Sequence, residues 1–206
     1  MLLIVHLLLG YRRLRDLSYY QDDPLVKRLL GLNQLPDPST VSRALSSIDG
    51  MSIERLWELC RKLVIERLKK VAICRVTLDF DGSVFSTQSR TTEGTAMGYN
   101  RKKKGTRSYY PLFCTLAQTG QVFDVHHRPG NVHDSHGAQE FILACIKALK
   151  QALPWLKIEV RTDSVFFSDE IVSALVGIEF TLSVPFERFV ELEKRVQDRV
   201  RWVLWP

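Results

Sequence analysis

The chain has 206 residues, a formal net charge of +6 and a hydrophobic content of 45%. A chain of this length and apolar content can bury a core, which excludes a disordered protein, and the mild positive charge allows a polyanionic partner without requiring one. Its four cysteines are widely scattered with no C-x-x-C pair, so neither a zinc site nor a disulfide framework is predicted. We expect buried, reduced thiols.

The apolar opening MLLIVHLLLGYRR is predicted to be a buried helix. It has no basic residue before the apolar run and no small-residue cleavage site after it, so it does not have the pattern of a signal peptide. It is also too short to span a membrane, and we therefore expect a cytoplasmic protein with no membrane partner. Since chain ends are usually polar, this opening and the closing RWVLWP predict truncation at both ends.

Residues 1–70 have a helical pattern and are predicted to form an N-terminal segment that could bind DNA. The clearest helix runs from about Ile53 to Leu68, where apolar residues recur every three or four positions and Ser52 can cap the start. We interpret the recurring positions as core; they are Ile53, Leu56, Trp57, Cys60, Leu63, Val64 and Leu68.

A shorter helix is predicted to begin at Ser39 or Thr40 in PSTVSRALSSI. It follows a Pro-rich turn and a preceding helix, PLVKRLLGL, and this arrangement resembles the second helix of a helix-turn-helix. Arg43 would then be a DNA-binding residue. A small helical bundle that only packs is the alternative, and the sequence leaves both open.

From Val71 onward the pattern changes to short runs rich in β-branched and aromatic residues. The runs VAICRVTLD, SVFST, YYPLFCTLA and QVFDVHHR indicate an antiparallel meander. An amphipathic helix beginning near Ala138, a strand KIEVRTD, a short helix capped by Ser168, a strand IEFTLSV and a last helix follow. The predicted order is β-β-β-α-β-α-β-α, which is an α/β fold with a mixed sheet.

Two aspartates, Asp81 in CRVTLDFDGS and Asp163 in KIEVRTDS, each follow the apolar part of a predicted strand. A meander followed by a crossover helix places the fourth strand beside the first and parallel to it, about 4.8 Å away. The two carboxylates then become neighbours that are open to water, as ligands of a divalent cation must be. Asp79 faces the same side as Asp81, as a partner of the site or a substitute ligand. Strand-end caps or turns are the alternative.

A basic loop separates the predicted second and third strand regions. In a DNA-processing protein it would hold phosphates and give salt-sensitive, sequence-independent affinity. A solvated hairpin tip is the alternative. The basic residues are Arg101, Lys102, Lys103, Lys104 and Arg107, and the flanking tyrosines are Tyr99, Tyr109 and Tyr110.

Four histidines occupy a short stretch, at positions 126, 127, 133 and 136. His126 and His127 are consecutive in a predicted strand, so their side chains point to opposite faces. Asn131, Asp134 and Ser135 are typical of a turn and a helix cap. A structural role is therefore favoured over a histidine metal site.

Four ordered segments, LDFDGSVF, GYNRKKKGTRSYYPL, RPGNVHDSHGAQEF and VRTDSVFFSDEIV, resemble the core of bacterial DDE transposases and, among them, the insertion sequence 1380 family. The upstream DDPLVKRLLGLNQLPDPSTVSRAL is similar to that family's N-terminal helices. The resemblance implies a ribonuclease H-like catalytic domain, two Mg²⁺ or Mn²⁺ ions, nicking at transposon ends and strand transfer by the freed 3′ hydroxyl. It also implies double-stranded DNA as partner, both transposon ends and target, a homodimer, and a place at the bacterial nucleoid.

Carried over by motif, the family's first two catalytic aspartates fall on Asp81 and Asp163. Its third acid, a glutamate in a helix after the last core strand, has no counterpart here. Glu187, Glu191 and Glu193 lie in the predicted last helix but lack the family's neighbouring tyrosine, arginine and lysine, and Glu191 is spaced for an i, i+4 surface pair with Arg195.

We therefore expect residues 71–206 to form an incomplete ribonuclease H-like core, and the chain to be a transposase fragment that does not transpose alone. Two alternatives remain open at the level of sequence. One is a non-catalytic helix-turn-helix-like DNA-binding protein, and the other is a decayed gene product without a stable fold.

Overall fold

The computed structural model describes residues 1–98, 104–133 and 135–200. The chain divides into two compact units, residues 1–56 and 57–206. None of the helices in the described ranges is long and apolar enough to cross a membrane. The division into domains at residue 70 stays a prediction.

The first unit is helical. Its elements are α1 (Leu2–Leu8), a 3₁₀ helix (Leu14–Tyr19), α2 (Pro24–Leu30), α3 (Pro38–Ser46) and the beginning of α4 (Gly50–Val71). Proline at the first position starts both α2 and α3, and the preceding aspartates, Asp23 and Asp37, accept backbone N–H groups. Helix α3 therefore begins slightly before the predicted Ser39, since Asp37 provides its cap.

A small core holds the first unit together. It consists of Val5, Leu17, Tyr20, Val26, Leu35 and Val41. The prediction of a buried first helix is correct for only one face of α1, because Leu7 and Leu8 are 64% and 81% exposed. A helix of two turns presents one side to so small a core, and its other leucines face solvent.

Helix α4 differs from its prediction in two respects. The carboxylate of Asp49 accepts the N–H of Ser52 at 2.8 Å, so the predicted cap at Ser52 is wrong. The apolar stripe is core only near the end of the helix, where Val64 and Leu68 are buried in the second unit. Its earlier members Ile53, Leu56 and Leu63 are exposed.

In the described part of the second unit there are two sheets and three further α-helices. The strands are β1 (Arg75–Gly82), β2 (Phe85–Thr87), β3 (Ala96–Met97), β4 (Arg107–Tyr109), β5 (Leu112–Leu116), β6 (Gln121–His126), β7 (Lys157–Thr162) and β8 (Glu179–Leu182). The helices are α5 (Ala138–Ala152), α6 (Asp169–Ala174) and α7 (Val190–Gln197).

The main sheet has the strand order β6-β5-β1-β7-β8. Strand β1 pairs antiparallel with β5 and parallel with β7, β5 pairs antiparallel with β6, and β7 pairs parallel with β8. A three-strand meander followed by two parallel strands is the mixed ribonuclease H-like arrangement, so the predicted α/β fold is confirmed.

The run SVFST was predicted to belong to the meander, and this is wrong. It forms β2 of a separate small sheet with the order β2-β4-β3. The reason is Pro111, which lacks an N–H group and divides the run YYPLFCTLA into β4 and β5. The part before Pro111 pairs with β2, and the part after it pairs with β1.

The main core lies on one face of the main sheet. Alternate residues Val76, Leu78 and Phe80 of β1 are buried there, and the apolar side of α5 packs on the same cluster through Ile142 and Leu149. The predicted amphipathic character of α5 is therefore correct. The opposite face of β1 carries Asp79 and Asp81, since side chains alternate along a strand.

All four cysteines are free. Cys114 and Cys145 are buried in the main core, as predicted, and burial, together with the neighbouring Cys145, raises the pKa of the Cys114 thiol. Cys74 is exposed and Cys60 half-buried, so the prediction of buried thiols is wrong for these two. Cys74 lies in the connection from α4 to β1, outside the apolar part of the strand.

Candidate functional site

Asp81 and Asp163 lie at the carboxyl ends of neighbouring parallel strands. The last paired residues of β1 and β7 are Phe80 and Thr162. Asp81 and Asp163 are each the next residue in the chain, so they occupy equivalent positions on the two strands. Both residues are exposed. We call this pair the acidic edge.

The backbone around the acidic edge fixes both aspartates. Asp81 is opposite Phe113 in the antiparallel pairing with β5, which holds its main chain in the sheet. Asp163 caps the 3₁₀ helix Ser164–Phe166, and its Oδ1 accepts the N–H of Val165 at 3.1 Å. Asp163 is therefore a cap at the end of a strand, as the alternative interpretation predicted, and this cap orients its carboxylate.

Asp79 is bound by an arginine that the sequence reasoning missed. The Nε and Nη2 groups of Arg161 donate to the two carboxylate oxygens of Asp79 at 2.5 and 2.6 Å. These bonds and the negative charge of Asp79 raise the pKa of Arg161. Both roles predicted for Asp79, partner of the site and substitute ligand, stay predictions. The sequence does contain a signal for this pair, because Asp79 is two residues before Asp81 and Arg161 is two residues before Asp163.

Further along the same sheet face, Glu159 is the centre of a polar network. It accepts hydrogen bonds from Arg75 at 3.2 Å and from the hydroxyls of Thr77 and Thr181 at 3.1 Å. Burial acts to raise the pKa of Glu159, but these three hydrogen bonds lower it below its ordinary value. The face leading to the acidic edge is thus charged and hydrogen-bonded.

Tyr110 and Arg128 support the backbone next to Asp81. A Cβ on Gly82 would lie 2.8 Å from the ring of Tyr110, so a larger residue beside Asp81 would require this ring to move. The guanidinium of Arg128 lies over this ring, 5.2 Å from its centroid, and its Nε donates to the Tyr110 carbonyl at 3.0 Å. Its Nη1 donates to the carbonyl of His136 at 2.9 Å. Arg128 therefore ties the loop that precedes α5 to Tyr110, whose ring lies next to Gly82.

The histidines have separate environments. His126 stacks on Phe141 of α5, while His127 packs on Tyr109. Burial lowers the pKa of His126, and the nearby Arg128 and His136 lower it further. Among the described residues there is no group of three or more His, Cys, Asp or Glu side chains that could hold a metal ion. The predicted cap residue at position 134 lies outside the described residues.

The predicted DNA-binding residues are only partly described. Residues 99–103 lie outside the described part of the chain, and Lys104 is exposed. Arg107 is half-buried and binds Thr95, with its Nε 2.9 Å from the hydroxyl and its Nη2 on the carbonyl oxygen. Arg43 is exposed on α3 and donates to Thr40 at 3.4 Å.

The glutamates near the end of the chain lie on the surface. Glu191 and Arg195 form the predicted i, i+4 pair at 3.8 Å, and both side chains are 76% exposed. Glu193 is half-buried and accepts a hydrogen bond from Gln197. Glu187 is exposed and lies in the 3₁₀ helix Phe186–Arg188 rather than in α7.

Comparison with known proteins gives a family match and several distant structural likenesses. The profile of the family "Transposase DDE domain group 1" matches residues 1–202. No curated protein matches the chain significantly.

Three solved structures illustrate the structural likenesses. The Mos1 transposase paired-end complex with left transposon end is 12% identical, with a TM-score of 0.38 and coverage of 90% of this chain and 65% of that chain. The catalytic domain of Mos1 mariner transposase is 11% identical, with a TM-score of 0.34 and coverage of 77% and 78%. The simian T-cell lymphotropic virus intasome is 16% identical, with a TM-score of 0.34 and coverage of 60% of this chain and 40% of that chain. The chain thus spans less than two thirds of the Mos1 chain in the first complex.

Proposed function

The chain belongs to the transposase DDE domain group 1 family, and from this premise we propose that it acts on DNA phosphodiesters with divalent metal ions held at Asp81 and Asp163. The observation that carries the proposal is the parallel register of β1 and β7, which gives both strands an exposed carboxylate at the same end. The reaction would be hydrolysis at transposon ends, followed by strand transfer.

The donor set at the acidic edge fits a hard divalent cation. Carboxylate oxygens are the ligands that Mg²⁺ prefers, and Mn²⁺ accepts the same ligands. When bound, two such ions stabilise charge on the attacking and leaving oxygens of a phosphodiester. The chain itself contributes the fixed backbone of β1 and β7 and the cap that orients Asp163. It also contributes the close packing of the Tyr110 ring on Gly82, the residue after Asp81.

The described residues supply only two acids to this edge. Glu191 and Glu193 are paired along the surface of α7, Glu187 is exposed, and no three-acid group is found in the described ranges. Because a loosely held second ion contributes little to transition-state stabilisation, we propose that the 206-residue chain alone is catalytically incomplete.

The first prediction follows from this incomplete acid set. Incubating the 206-residue chain with supercoiled plasmid and Mg²⁺ or Mn²⁺ is expected to give little or no nicking on an agarose gel. The Asp81→Asn variant is the control for a contaminating nuclease, since contaminant activity would persist in it. Robust nicking by the wild type that disappears in Asp81→Asn would contradict the incomplete-site proposal.

DNA binding is proposed to involve the basic loop, which includes Lys104. Replacing residues 101–104 with alanine is expected to weaken binding to a duplex of any sequence. The slope of log K against log salt should fall by about 0.9 for each phosphate that the variant no longer neutralises. A matched control replaces four exposed lysines elsewhere, Lys69, Lys70, Lys147 and Lys194. Equal reductions in the two variants would mean that only net charge matters.

A second candidate function is sequence-specific DNA binding through α3. The observation in its favour is that Val41 is the only buried residue of this helix, so Arg43 and its neighbours are accessible. The connection of residues 31–37 between α2 and α3 is, however, longer than the usual three or four residues of a helix-turn-helix. Binding to a palindrome that survives Asp81→Ala but fails with Arg43→Ala would favour this function.

Finer features of the proposed function depend on the sequence motifs. They are membership of the insertion sequence 1380 branch, action on transposon ends and target DNA, a homodimer, and a place at the nucleoid in the bacterial cytoplasm. These features are supported by the ordered set of segments that resembles the family. Two of these segments contain Asp81 and Asp163, and the strands at whose ends these aspartates lie are neighbours in the sheet.

A further inference from the structure

Arg161 lies on the same sheet face as the acidic edge. Side chains alternate along a strand, so Asp79 shares a face of β1 with Asp81, and Arg161 shares a face of β7 with Asp163. Arg161 is two residues before Asp163, roughly 7 Å along the strand. A fixed cation is therefore placed beside two carboxylates that attract divalent ions.

The Asp79–Arg161 pair leaves donors on the arginine for another group. A guanidinium has N–H groups on three nitrogens in a planar fork, and Asp79 takes one each from Nε and Nη2. The Arg161 side chain is 55% exposed, whereas that of Asp79 is 28% exposed. A charged fork that is held on one side and open to solvent on the other is suited to a phosphate oxygen.

We propose that Arg161 binds a phosphate oxygen of DNA beside the acidic edge, and that Asp79 anchors Arg161 rather than binding metal. This inference rests on the proposed function, because it needs a cation at Asp81 and Asp163 and a phosphodiester near it. Asp79 has a double effect. It fixes the guanidinium before DNA arrives, which reduces the ordering cost of binding, and its own charge is neutralised by the ion pair.

An ordinary surface ion pair is the competing explanation, and the same sheet face provides a matched control for it. Arg75 of β1 pairs with Glu159 of β7 and Glu179 of β8, and its side chain is 51% exposed. It lies six residues before Asp81, roughly 20 Å away along the strand. Arg75→Ala and Arg161→Ala each remove one positive charge from a cross-strand ion-pair site, with two carboxylate partners for Arg75 and one for Arg161. Arg75 is far from the acidic edge, whereas Arg161 is close to it.

The test of Arg161 measures the affinity of the 206-residue chain for a short random-sequence duplex, with Mn²⁺ and with EDTA. With Mn²⁺, Arg161→Ala is expected to weaken binding about tenfold, the effect of one charge-assisted hydrogen bond. With EDTA, it should weaken binding only as much as Arg75→Ala does. Arg161→Lys, which keeps the charge but loses the fork, should be intermediate with Mn²⁺ and unchanged with EDTA. Equal effects of Arg161→Ala and Arg75→Ala under both conditions would overturn the proposal.

The role of Asp79 is tested with Mn²⁺ alone, by titration calorimetry. Asp79→Asn is expected to leave the Mn²⁺ affinity unchanged, and a loss as large as that of Asp81→Asn would show that Asp79 is a ligand. If Asp81→Asn and Asp163→Asn leave Mn²⁺ binding intact, the proposed function itself fails. If they abolish Mn²⁺ binding while Arg161→Ala behaves as Arg75→Ala, only the present inference fails.

Discussion

Asp81→Asn and Asp163→Asn are each expected to weaken Mn²⁺ binding to the chain about 100-fold. The reason is electrostatic, since near a protein surface two unit charges at 4 Å interact by about 4 kcal/mol and exposure to water reduces that value. Asparagine keeps the size of the side chain and one carbonyl oxygen but removes the charge. Titration calorimetry with Mn²⁺ measures the effect directly.

The control for this experiment is Asp198→Asn, which removes an exposed carboxylate at the end of α7. It should leave Mn²⁺ affinity unchanged, and all variants should keep a cooperative thermal transition. A second readout replaces Mn²⁺ with Fe²⁺ and peroxide, which cleaves the chain near a bound ion. Cuts near both residue 81 and residue 163, lost together in either variant, are expected if the carboxylates share ions. Cuts near only one of them would contradict a shared site.

The neighbouring positions of Asp81 and Asp163 could be predicted from the sequence because few topologies fit its pattern. A meander followed by a crossover helix has nearly always one handedness, and this places β7 beside β1. The apolar alternation of each strand then sets the register, since a slip by one residue would turn the buried side chains to the solvent. The face on which Asp79 lies followed from the same alternation.

The partner of Asp79 could not be predicted in the same way. Alternation identifies the face of a residue but not the direction in which a long side chain extends, and Arg161 has several rotamers on that face. The sequence motif VRTDS points to the aspartate that matches the family rather than to the arginine two residues before it. Only the folded structure shows that Arg161 reaches across to β1.

The sequence predictions that were wrong for β4, β5 and α4 each have a local physical cause. The run YYPLFCTLA looked like one strand, although its proline removes a ladder hydrogen bond and separates β4 from β5. In α4 the apolar period was correct, but periodicity does not reveal how far along a helix its partner extends. The buried residues Val64 and Leu68 therefore mark the part of α4 that packs on the main core.

Arg128→Met is expected to lower the free energy of unfolding by about 3–5 kcal/mol, as measured by urea denaturation, because it removes hydrogen bonds made by a charged group. Arg128 is only 2% exposed and donates to the carbonyl oxygens of Tyr110 and His136. Methionine fills much of the same space but cannot donate to these partly buried carbonyls, and each lost hydrogen bond costs about 1–3 kcal/mol. The RPGN motif thus has a structural role that its resemblance to a family did not reveal.

Arg61→Met is the matched control for this prediction, because it also removes a single arginine from the second unit. Arg61 pairs with Asp124 at 2.7 Å, but its side chain is 33% exposed, so the expected cost is about 1 kcal/mol. Arg128→Lys should lie between the two, since an ammonium group keeps the charge but cannot span the same acceptors. If Arg128→Met were no more destabilising than Arg61→Met, Arg128 would not anchor the loop. The support of Asp81 through Tyr110 and Gly82 would then have to come from ring packing alone.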